Sequence, residues 1–262
     1  MTYAADLALA LSMADEADRL AMRHYRSKDL VITTKPDATP VTEADQAVER
    51  LLRETLAAQR PNDPIVGEEY GGDGALSPGR RWIVDPIDGT KNYLRGVPVW
   101  STLIALADND DDYVVGVVSA PAMGRRWWAS KGGGAWTREV NGDVSRIQVS
   151  GVSTMRDASF SFSDAVDWDR HSNTPGALQR FVAASWRQRA YGDFWSHMLV
   201  AEGAVDISAE PTLAAWDMAA LIPIIEEAGG RATGFGGGDP LRQTSLVCTN
   251  GHLHATALHL IG

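Results

Sequence analysis

The chain has 262 residues and a formal net charge of −10 at pH 7, and 44% of its residues are hydrophobic. This length and composition are those of a globular protein with a self-sufficient core. An acidic chain without a block of Lys and Arg also lacks the basic surface that nucleic-acid and membrane-surface binders use.

The single cysteine, Cys248, excludes an internal disulfide and a thiolate metal cluster. No apolar run approaches the ~20 residues of a membrane span. The acidic N-terminal stretch lacks the basic region of a signal peptide, so we expect a cytoplasmic protein.

Two amphipathic helices are predicted in the first quarter of the chain. Residues 4–26 repeat Leu and Ala at intervals of three or four, which is a helical spacing. Residues 35–40 contain Pro and Asp and predict a turn, after which Thr42 is a suitable N-cap for a second helix. Residues 71–80, rich in Gly and Pro, predict a surface loop.

The remaining pattern changes near residue 150, from consecutive strands to alternating strands and helices. Strands are predicted at residues 65–66, 82–84, 101–107, 113–119 and 126–129, and then at 158–162, 186–189, 204–207 and 245–249. Helices of the second half are predicted at residues 175–184, 193–202, 216–228 and 251–259. We therefore expect an N-terminal α+β half over residues 1–150 and a C-terminal α/β half over residues 151–262, with one shared cleft.

The strongest chemical signal lies in residues 82–93, which read WIVDPIDGTKNY. An apolar strand leads into Asp85 and Asp88, and because Pro86 cannot donate to a β-ladder, we expect the strand to end there. Gly89 permits a sharp turn, so that both carboxylates and a carbonyl between them can face one point. Oxygen ligands of this kind bind Mg²⁺. The alternative from these residues alone is an Asp-rich turn without a metal.

Two further segments carry acids at the end of an apolar run. Residues 65–70 read IVGEEY and place Glu68 after a short strand, although adjacent Glu residues are usually just solvated. Asp217 lies at the start of a predicted apolar helix that ends at Gly229-Gly230. A helix-capping role explains Asp217 as well as a metal-binding role does, and one carboxylate can perform both.

Taken together, these segments resemble the inositol monophosphatase family of lithium-sensitive phosphatases. The resemblance rests on Gly-Glu-Glu at residues 67–69, on residues 82–93, and on Trp216-Asp217 ahead of the helix that ends in two glycines. Order, spacing and length agree over essentially the whole chain. The resemblance implies a layered αβαβα sandwich of the inositol monophosphatase and fructose-1,6-bisphosphatase type, and Mg²⁺-dependent hydrolysis of a phosphate monoester.

The resemblance also implies a site for two to three Mg²⁺ ions, with Mn²⁺ as a possible substitute. The implied metal ligands are Glu68, Asp85, the carbonyl of Ile87, Asp88 and Asp217, with Asp45 supporting the third ion through water. The residues alone leave Asp45 open as the N3 acid of a helix capped by Thr42.

The resemblance implies catalytic roles for Glu68, Thr90 and Asp88, with Thr90 and Glu68 taking the proton of the attacking water. The backbone N–H groups of Gly89 and Thr90 are implied to bind the phosphate. None of the six histidines lies in these motifs, and we expect His252 and His254 at the surface.

Within the family, the chain is similar to the actinobacterial histidinol-phosphate phosphatases at residues 34–42, 89–100, 125–128 and 189–194. This similarity implies L-histidinol phosphate as the substrate. Such an amine-bearing, planar substrate fits an acid next to aromatic residues, as at Asp193, Phe194 and Trp195. Glu210 and Arg189 are further candidates for substrate contact. A helix N-cap for Asp193, and a core or dimer interface for the aromatics, remain open alternatives.

Two other functions remain possible from the sequence. An inositol-1-phosphate phosphatase would share every metal ligand, and a non-catalytic regulatory or binding scaffold would use only the fold. A bisphosphatase would need a basic cluster for a second phosphate, and the sequence shows none. We expect a small phosphorylated metabolite as the partner, no nucleic acid and no membrane, and the family resemblance implies a homodimer.

Overall fold

The computed structural model describes residues 3–27, 32–34, 40–72, 79–109, 112–170 and 174–262. The predicted turn at residues 35–39 and residues 73–78 of the predicted loop lie outside these ranges.

Consecutive strands dominate residues 101–146, and strands and helices alternate in the second half of the chain. The helices are α1 (Ala4–His24), α2 (Glu43–Gln59), α3 (Thr90–Arg95), α4 (Ala165–Arg170), α5 (Ala177–Ala184), α6 (Asp193–Ala201), α7 (Ala215–Met218), α8 (Leu221–Glu227), α9 (Pro240–Gln243) and α10 (His254–Ile261). The strands are β1 (Ile32–Thr34), β2 (Pro40–Thr42), β3 (Ile65–Gly67), β4 (Arg81–Asp88), β5 (Ser101–Ala107), β6 (Tyr113–Ala120), β7 (Arg125–Ser130), β8 (Ala135–Arg138), β9 (Val144–Arg146), β10 (Ser159–Ser161), β11 (Arg187–Arg189), β12 (Ile207–Glu210), β13 (Arg231–Thr233) and β14 (Leu246–Thr249).

Two large sheets form the framework of the molecule. The first has seven strands in the order β3-β4-β5-β6-β7-β8-β9, and the second has five in the order β11-β10-β12-β14-β13. Helices α1 and α2 pack on the outer face of the first sheet, α6 and α8 lie between the sheets, and α5 and α10 cover the outer face of the second. The result is the αβαβα sandwich that the sequence predicts. The predicted boundary at residue 150 falls between β9 and β10.

Both faces of the first sheet are buried at its central strands β4, β5 and β6, whose residues are mostly apolar. In β5, Leu103 and Ala105 pack toward α6 and α8. Their neighbours Ile104 and Leu106 point the other way, into the core formed with α1 and α2. This double burial makes the sheet a rigid support for residues at the ends of its strands.

Strand β4 differs from its prediction in a way that matters for the site. It does not end before Pro86 but continues to Asp88, with a shift in its pairing to β5 between Asp85 and Asp88. Proline is tolerated here because the irregularity removes the need for its missing N–H in the ladder. Because of this shift, residues 86 and 87 between the two aspartates are not paired with β5 in the regular register.

Two predicted elements of the second half are displaced or divided. The helix predicted at residues 216–228 is split into α7 and α8, because Pro223 lacks the N–H that would continue the hydrogen-bond series. The strand predicted at 204–207 begins three residues later. The N–H groups of Ala204 and Val205 instead bond to the carbonyl of Leu199 and close the end of α6.

The prediction that His252 and His254 lie at the surface is wrong for His254. His254 is buried and forms hydrogen bonds with the hydroxyls of Thr233 and Thr249, whereas His252 is exposed. Burial lowers the pKa of His254 to about 4, so it is neutral near pH 7. Within the described ranges, none of the helices is long and apolar enough to cross a membrane.

The packing of α8 on the first sheet can be tested at Gly116. A Cβ atom there would overlap the carbonyl oxygen of Ala220 and lie 2.8 Å from Cγ of Pro223. We expect Gly116→Ala to lower the free energy of unfolding by about 1–3 kcal/mol in urea denaturation, the usual cost of overpacking. Gly151→Ala is the control, because no atom lies within 4 Å of that position, and we expect a change below about 0.5 kcal/mol. Equal changes for the two variants would contradict this packing.

Candidate active site

Three carboxylates meet where β4 ends and α7 begins. Asp85 and Asp88 lie on β4, and Asp217 lies on α7, which packs against that strand. One oxygen atom from each residue lies within 4.8 Å of the other two. The sequence separates Asp217 from the others by more than a hundred residues, so only the packing of the two halves creates this cluster.

The backbone between Asp85 and Asp88 is held by hydrogen bonds on both sides. The N–H of Ile87 donates to Oδ1 of Asp85 at 2.9 Å, and the carbonyl of Ile87 accepts a hydrogen bond from Oγ1 of Thr90 at 3.1 Å. The carbonyl of Pro86 instead accepts from Thr102 at 2.8 Å, on the opposite side. The Ile87 carbonyl is thereby held by Thr90, a residue that lines the cleft.

Gly89 lets the chain turn from β4 into α3. Its φ of 80° is in the left-handed region, which strongly favours glycine. Helix α3 begins at the next residue, so the N–H groups of Gly89 and Thr90 lie at the start of a helical turn. Both residues line a cleft of about 440 Å³.

Asp45 caps α2 and also contacts the turn after β4. Its Oδ2 accepts hydrogen bonds from the N–H of Thr42 at 2.8 Å and from the Thr42 hydroxyl at 2.5 Å, which forms a capping box. Its Oδ1 accepts from the hydroxyl of Thr90 at 3.4 Å. The capping role and a place in the site, which the sequence left as alternatives, therefore coexist.

Glu68 lies in the turn after β3 and lines the same cleft. It is outside the 4.8 Å cluster, but its charge is, after burial, the largest cause of the raised pKa of Asp85. The structure thus brings Glu68 near the three aspartates without placing it among them.

Asp85 is buried and Asp88 and Asp217 are partly buried, and all three resist ionisation in the absence of a cation. Burial and then the neighbouring carboxylates raise the pKa values of Asp85 and Asp88 well above their usual range. Burial raises the pKa of Asp217 to about 7. Clustered carboxylates need protons or cations between them. Because all the donors are hard oxygen atoms, the set fits Mg²⁺ or a similar ion.

Asp193 lines the cleft, Glu210 lines an adjoining recess together with Asp88 and Asp217, and the two acids are linked through Ser163. The Ser163 hydroxyl donates to Oε1 of Glu210 at 2.6 Å and accepts from the backbone N–H of Asp193 at 2.8 Å. Asp193 has a positive φ of 48°, and its Oδ2 accepts from Asn92 at 2.7 Å. Burial raises the pKa of Asp193 to about 6 and that of Glu210 to about 8.

Two candidates for substrate contact are placed differently from that expectation. Arg189 is exposed on the edge strand β11 and forms no ion pair with Asp193; its guanidinium donates to the carbonyl of Gln188. Phe194 borders the recess that holds Glu210 and Asp217, but it is 1% exposed and its ring lies 6.0 Å from that of Trp127, so its side chain is part of the core. Its backbone N–H donates instead to Oδ2 of Asp88 at 2.9 Å.

Several residues of the cleft were not among the candidates. Tyr191 lines it and packs edge-to-face against Trp195, with ring centroids 5.3 Å apart. Asn92 was inside the recognised motif but had no predicted role. Ser163 carries no sequence signal, because its importance comes only from the two elements that meet there.

Comparisons with known proteins identify the family of the chain. Residues 4–261 match the inositol monophosphatase family, and the chain belongs to that family. It is 52% identical to a histidinol-phosphatase of Mycobacterium tuberculosis over 97% of this chain and 96% of the relative. A histidinol-phosphatase of Streptomyces coelicolor is 50% identical over 96% and 95% of the two chains. The structure of an inositol monophosphatase from Zymomonas mobilis superposes with a TM-score of 0.85 at 28% identity, covering 100% of this chain and 99% of that one.

The chain is therefore a phosphoric monoester hydrolase of a metal-dependent family. The resemblance to the histidinol-phosphatase subgroup and the predicted fold are both confirmed.

The raised pKa of Glu210 predicts a pH-dependent stability. Between its ordinary pKa of 4.5 and the folded value of about 8, the folded protein keeps a proton that the unfolded chain has lost. This contribution is complete below about pH 4.5 and disappears as the pH rises through 8. With EDTA present, we expect the melting temperature of Glu210→Gln to fall less between pH 5 and pH 9 than that of the wild type. Glu54→Gln, at an exposed position, should follow the wild type; parallel curves for Glu210→Gln and the wild type would contradict the assignment.

Proposed function

We propose that the protein hydrolyses L-histidinol phosphate to L-histidinol and phosphate in a reaction that depends on Mg²⁺, as a step of histidine biosynthesis. The observation that carries the choice of substrate is the charge of the cleft beside the three aspartates. Asp164 and Asp193 line the cleft, and Asp167 and Glu210 line an adjoining recess that Asp88 and Asp217 also border; Lys91 is the one cationic side chain in these linings. An acidic wall favours a substrate that carries an ammonium group. The two histidinol-phosphatase relatives support the same substrate.

We propose two to three Mg²⁺ ions, held as the family pattern implies, with Mn²⁺ as a possible substitute. The proposed ligands are Glu68, Asp85, the carbonyl of Ile87, Asp88 and Asp217, with Asp45 near a third, water-linked ion. When bound, the ions supply Lewis-acid chemistry: they neutralise the phosphate and lower the pKa of a coordinated water. The oxygen-only donor set and the raised pKa values of the aspartates support this assignment.

The protein's own groups position the reactants. The Thr90 hydroxyl lies between the Ile87 carbonyl and Oδ1 of Asp45, so Thr90 could pass its own proton to Asp45 as it accepts one from the attacking water. Glu68 faces the same cleft and would share in orienting the attacking water. The N–H groups of Gly89 and Thr90 would bind the phosphate at the start of α3.

The part of the cleft beside Asp193 and Glu210 would bind the histidinol portion. A substrate ammonium near Asp193 and Glu210 would favour their charged forms and offset the burial that raises their pKa values. Tyr191 replaces Phe194 as the aromatic residue available to the imidazole, since it lines the cleft. Arg189 would contribute only if a second subunit brought it to a neighbouring site.

We also propose a cytoplasmic homodimer, as the family resemblance implies. An exposed edge strand, β11, supports the dimer, because Trp186 next to it is 67% exposed, which is unusual for so large an aromatic residue. The unpaired, buried Cys248 agrees with a reducing compartment. Analytical ultracentrifugation distinguishes a dimer from the 28.3 kDa monomer.

The first test compares phosphate release from histidinol phosphate and inositol-1-phosphate, each with Mg²⁺ or with EDTA. We expect a clear preference for histidinol phosphate and no turnover with EDTA. Preference for inositol-1-phosphate would favour the alternative enzyme and remove the argument from the acidic wall. Absence of release from both would favour the non-catalytic scaffold.

The acidic wall itself is tested by Asp193→Asn. Losing a charged hydrogen-bond acceptor is worth about 1.5–3 kcal/mol, so we expect kcat/KM for histidinol phosphate to fall about 10- to 150-fold. The fall for inositol-1-phosphate should be much smaller, because that substrate has no ammonium group. Asp143→Asn makes the same charge change at an exposed position outside the cleft and should leave both rates unaltered. Equal losses for the two substrates would show that Asp193 does not recognise the amine.

A further inference from the structure

A buried carboxylate on α2 holds the turn that carries Glu68. The side chain of Glu49 is fully buried, and its two oxygen atoms accept hydrogen bonds from consecutive backbone N–H groups, that of Glu69 at 2.6 Å and that of Tyr70 at 3.2 Å. These donors directly follow Glu68. A buried carboxylate that accepts two backbone hydrogen bonds holds this turn in one conformation more strongly than hydrogen bonds to water would.

Arg53, one helical turn after Glu49, closes the other side of the same turn. Its Nε donates to Oε1 of Glu49 at 2.7 Å, and its guanidinium also donates to the carbonyl of Gly71. The N–H of Gly67 donates to that carbonyl at 3.1 Å. Residues 67–71 are thus held by α2 as well as by their own backbone, and the charge of Arg53 compensates the buried charge of Glu49.

The space beside Glu49 explains the glycine that precedes Glu68. A Cβ atom at Gly67 would overlap the Glu49 carboxyl group, although the backbone there is not in the left-handed region. Gly67 is therefore required for the close approach of Glu49 rather than for its own conformation.

We propose that Glu49, supported by Arg53, is a positioning residue that sets the place of Glu68 in the metal site. The proposal rests on the proposed function, since it needs Glu68 to be a Mg²⁺ ligand. Replacing a residue that holds a metal ligand in place typically lowers metal affinity or activity about 10- to 100-fold. A purely structural Glu49 would affect stability and leave metal binding intact.

The experiment measures Mg²⁺ binding to the substrate-free protein by titration calorimetry, together with the Mg²⁺ dependence of phosphate release. Glu49→Gln keeps the shape of the side chain but loses one acceptor. We expect its Mg²⁺ affinity to fall about 10- to 100-fold, with activity partly restored by high Mg²⁺. Leu56→Ala, at a fully buried position of the same helix, is the matched control: it should lower the melting temperature and leave Mg²⁺ affinity unaltered.

A second pair of variants keeps the test decisive if Glu49→Gln folds poorly. Gly67→Ala should weaken Mg²⁺ binding by displacing the Glu49 carboxyl group. In Glu49→Ala/Gly67→Ala the overlap is gone, so the second substitution should add little to the loss caused by the first. Fully additive losses would contradict the geometry on which the proposal depends.

The outcomes separate this inference from the proposed function. If Glu68→Gln weakens Mg²⁺ binding but Glu49→Gln and Gly67→Ala bind it as the wild type does, the positioning role is wrong and the metal site stands. If Glu68→Gln itself binds Mg²⁺ normally, Glu68 is not a ligand, and the proposed metal assignment and the positioning role are both wrong.

Discussion

The withdrawal of several carboxylates from water in one small region is the constraint on which the rest of the site depends. Burial and then the charges of neighbouring carboxylates raise the pKa values of Asp85 and Asp88 well above their usual range, and burial raises that of Asp217 to about 7. Such a cluster is unstable as a set of free anions and becomes stable when cations bind between the oxygens. The acidic net charge of the chain is therefore compatible with an anionic substrate, because the phosphate would meet the bound cations rather than the carboxylates.

Each of the three aspartates is held in place by a hydrogen bond from the backbone. One oxygen of each carboxylate accepts a backbone N–H: from Ile87 for Asp85, from Phe194 for Asp88, and from Ala214 for Asp217. The other oxygen remains available to the cluster. Since the three donors belong to β4, to α6 and to the residue before α7, the site forms only when both halves of the sandwich are packed together.

The sequence predicted the parts of the site that are encoded locally and missed those that depend on distant elements. Asp85, Asp88 and Gly89 could be recognised because strand, turn and ligands are contiguous. Ser163 and Glu49 could not, since a serine after a short strand and a Glu–Arg pair on a helix look like ordinary surface features. The displaced start of β12 has a similar cause: the turn that ends α6 takes the N–H groups that an extended strand would have used. The assignment of the metal ligands and of the two halves as domains remains a prediction.

The first two residues of α6 connect the proposed substrate-binding region with the proposed metal site. Phe194 donates its N–H to Asp88, while the preceding Asp193 adopts a left-handed conformation and bonds to Asn92 of α3. Asp193 therefore lies in the wall of the cleft and directly precedes the residue whose backbone N–H supports a proposed metal ligand. A change from a cationic to a neutral alcohol would require altering Asp193 while keeping Phe194 in place, because the backbone of α6 serves the metal cluster whatever the substrate.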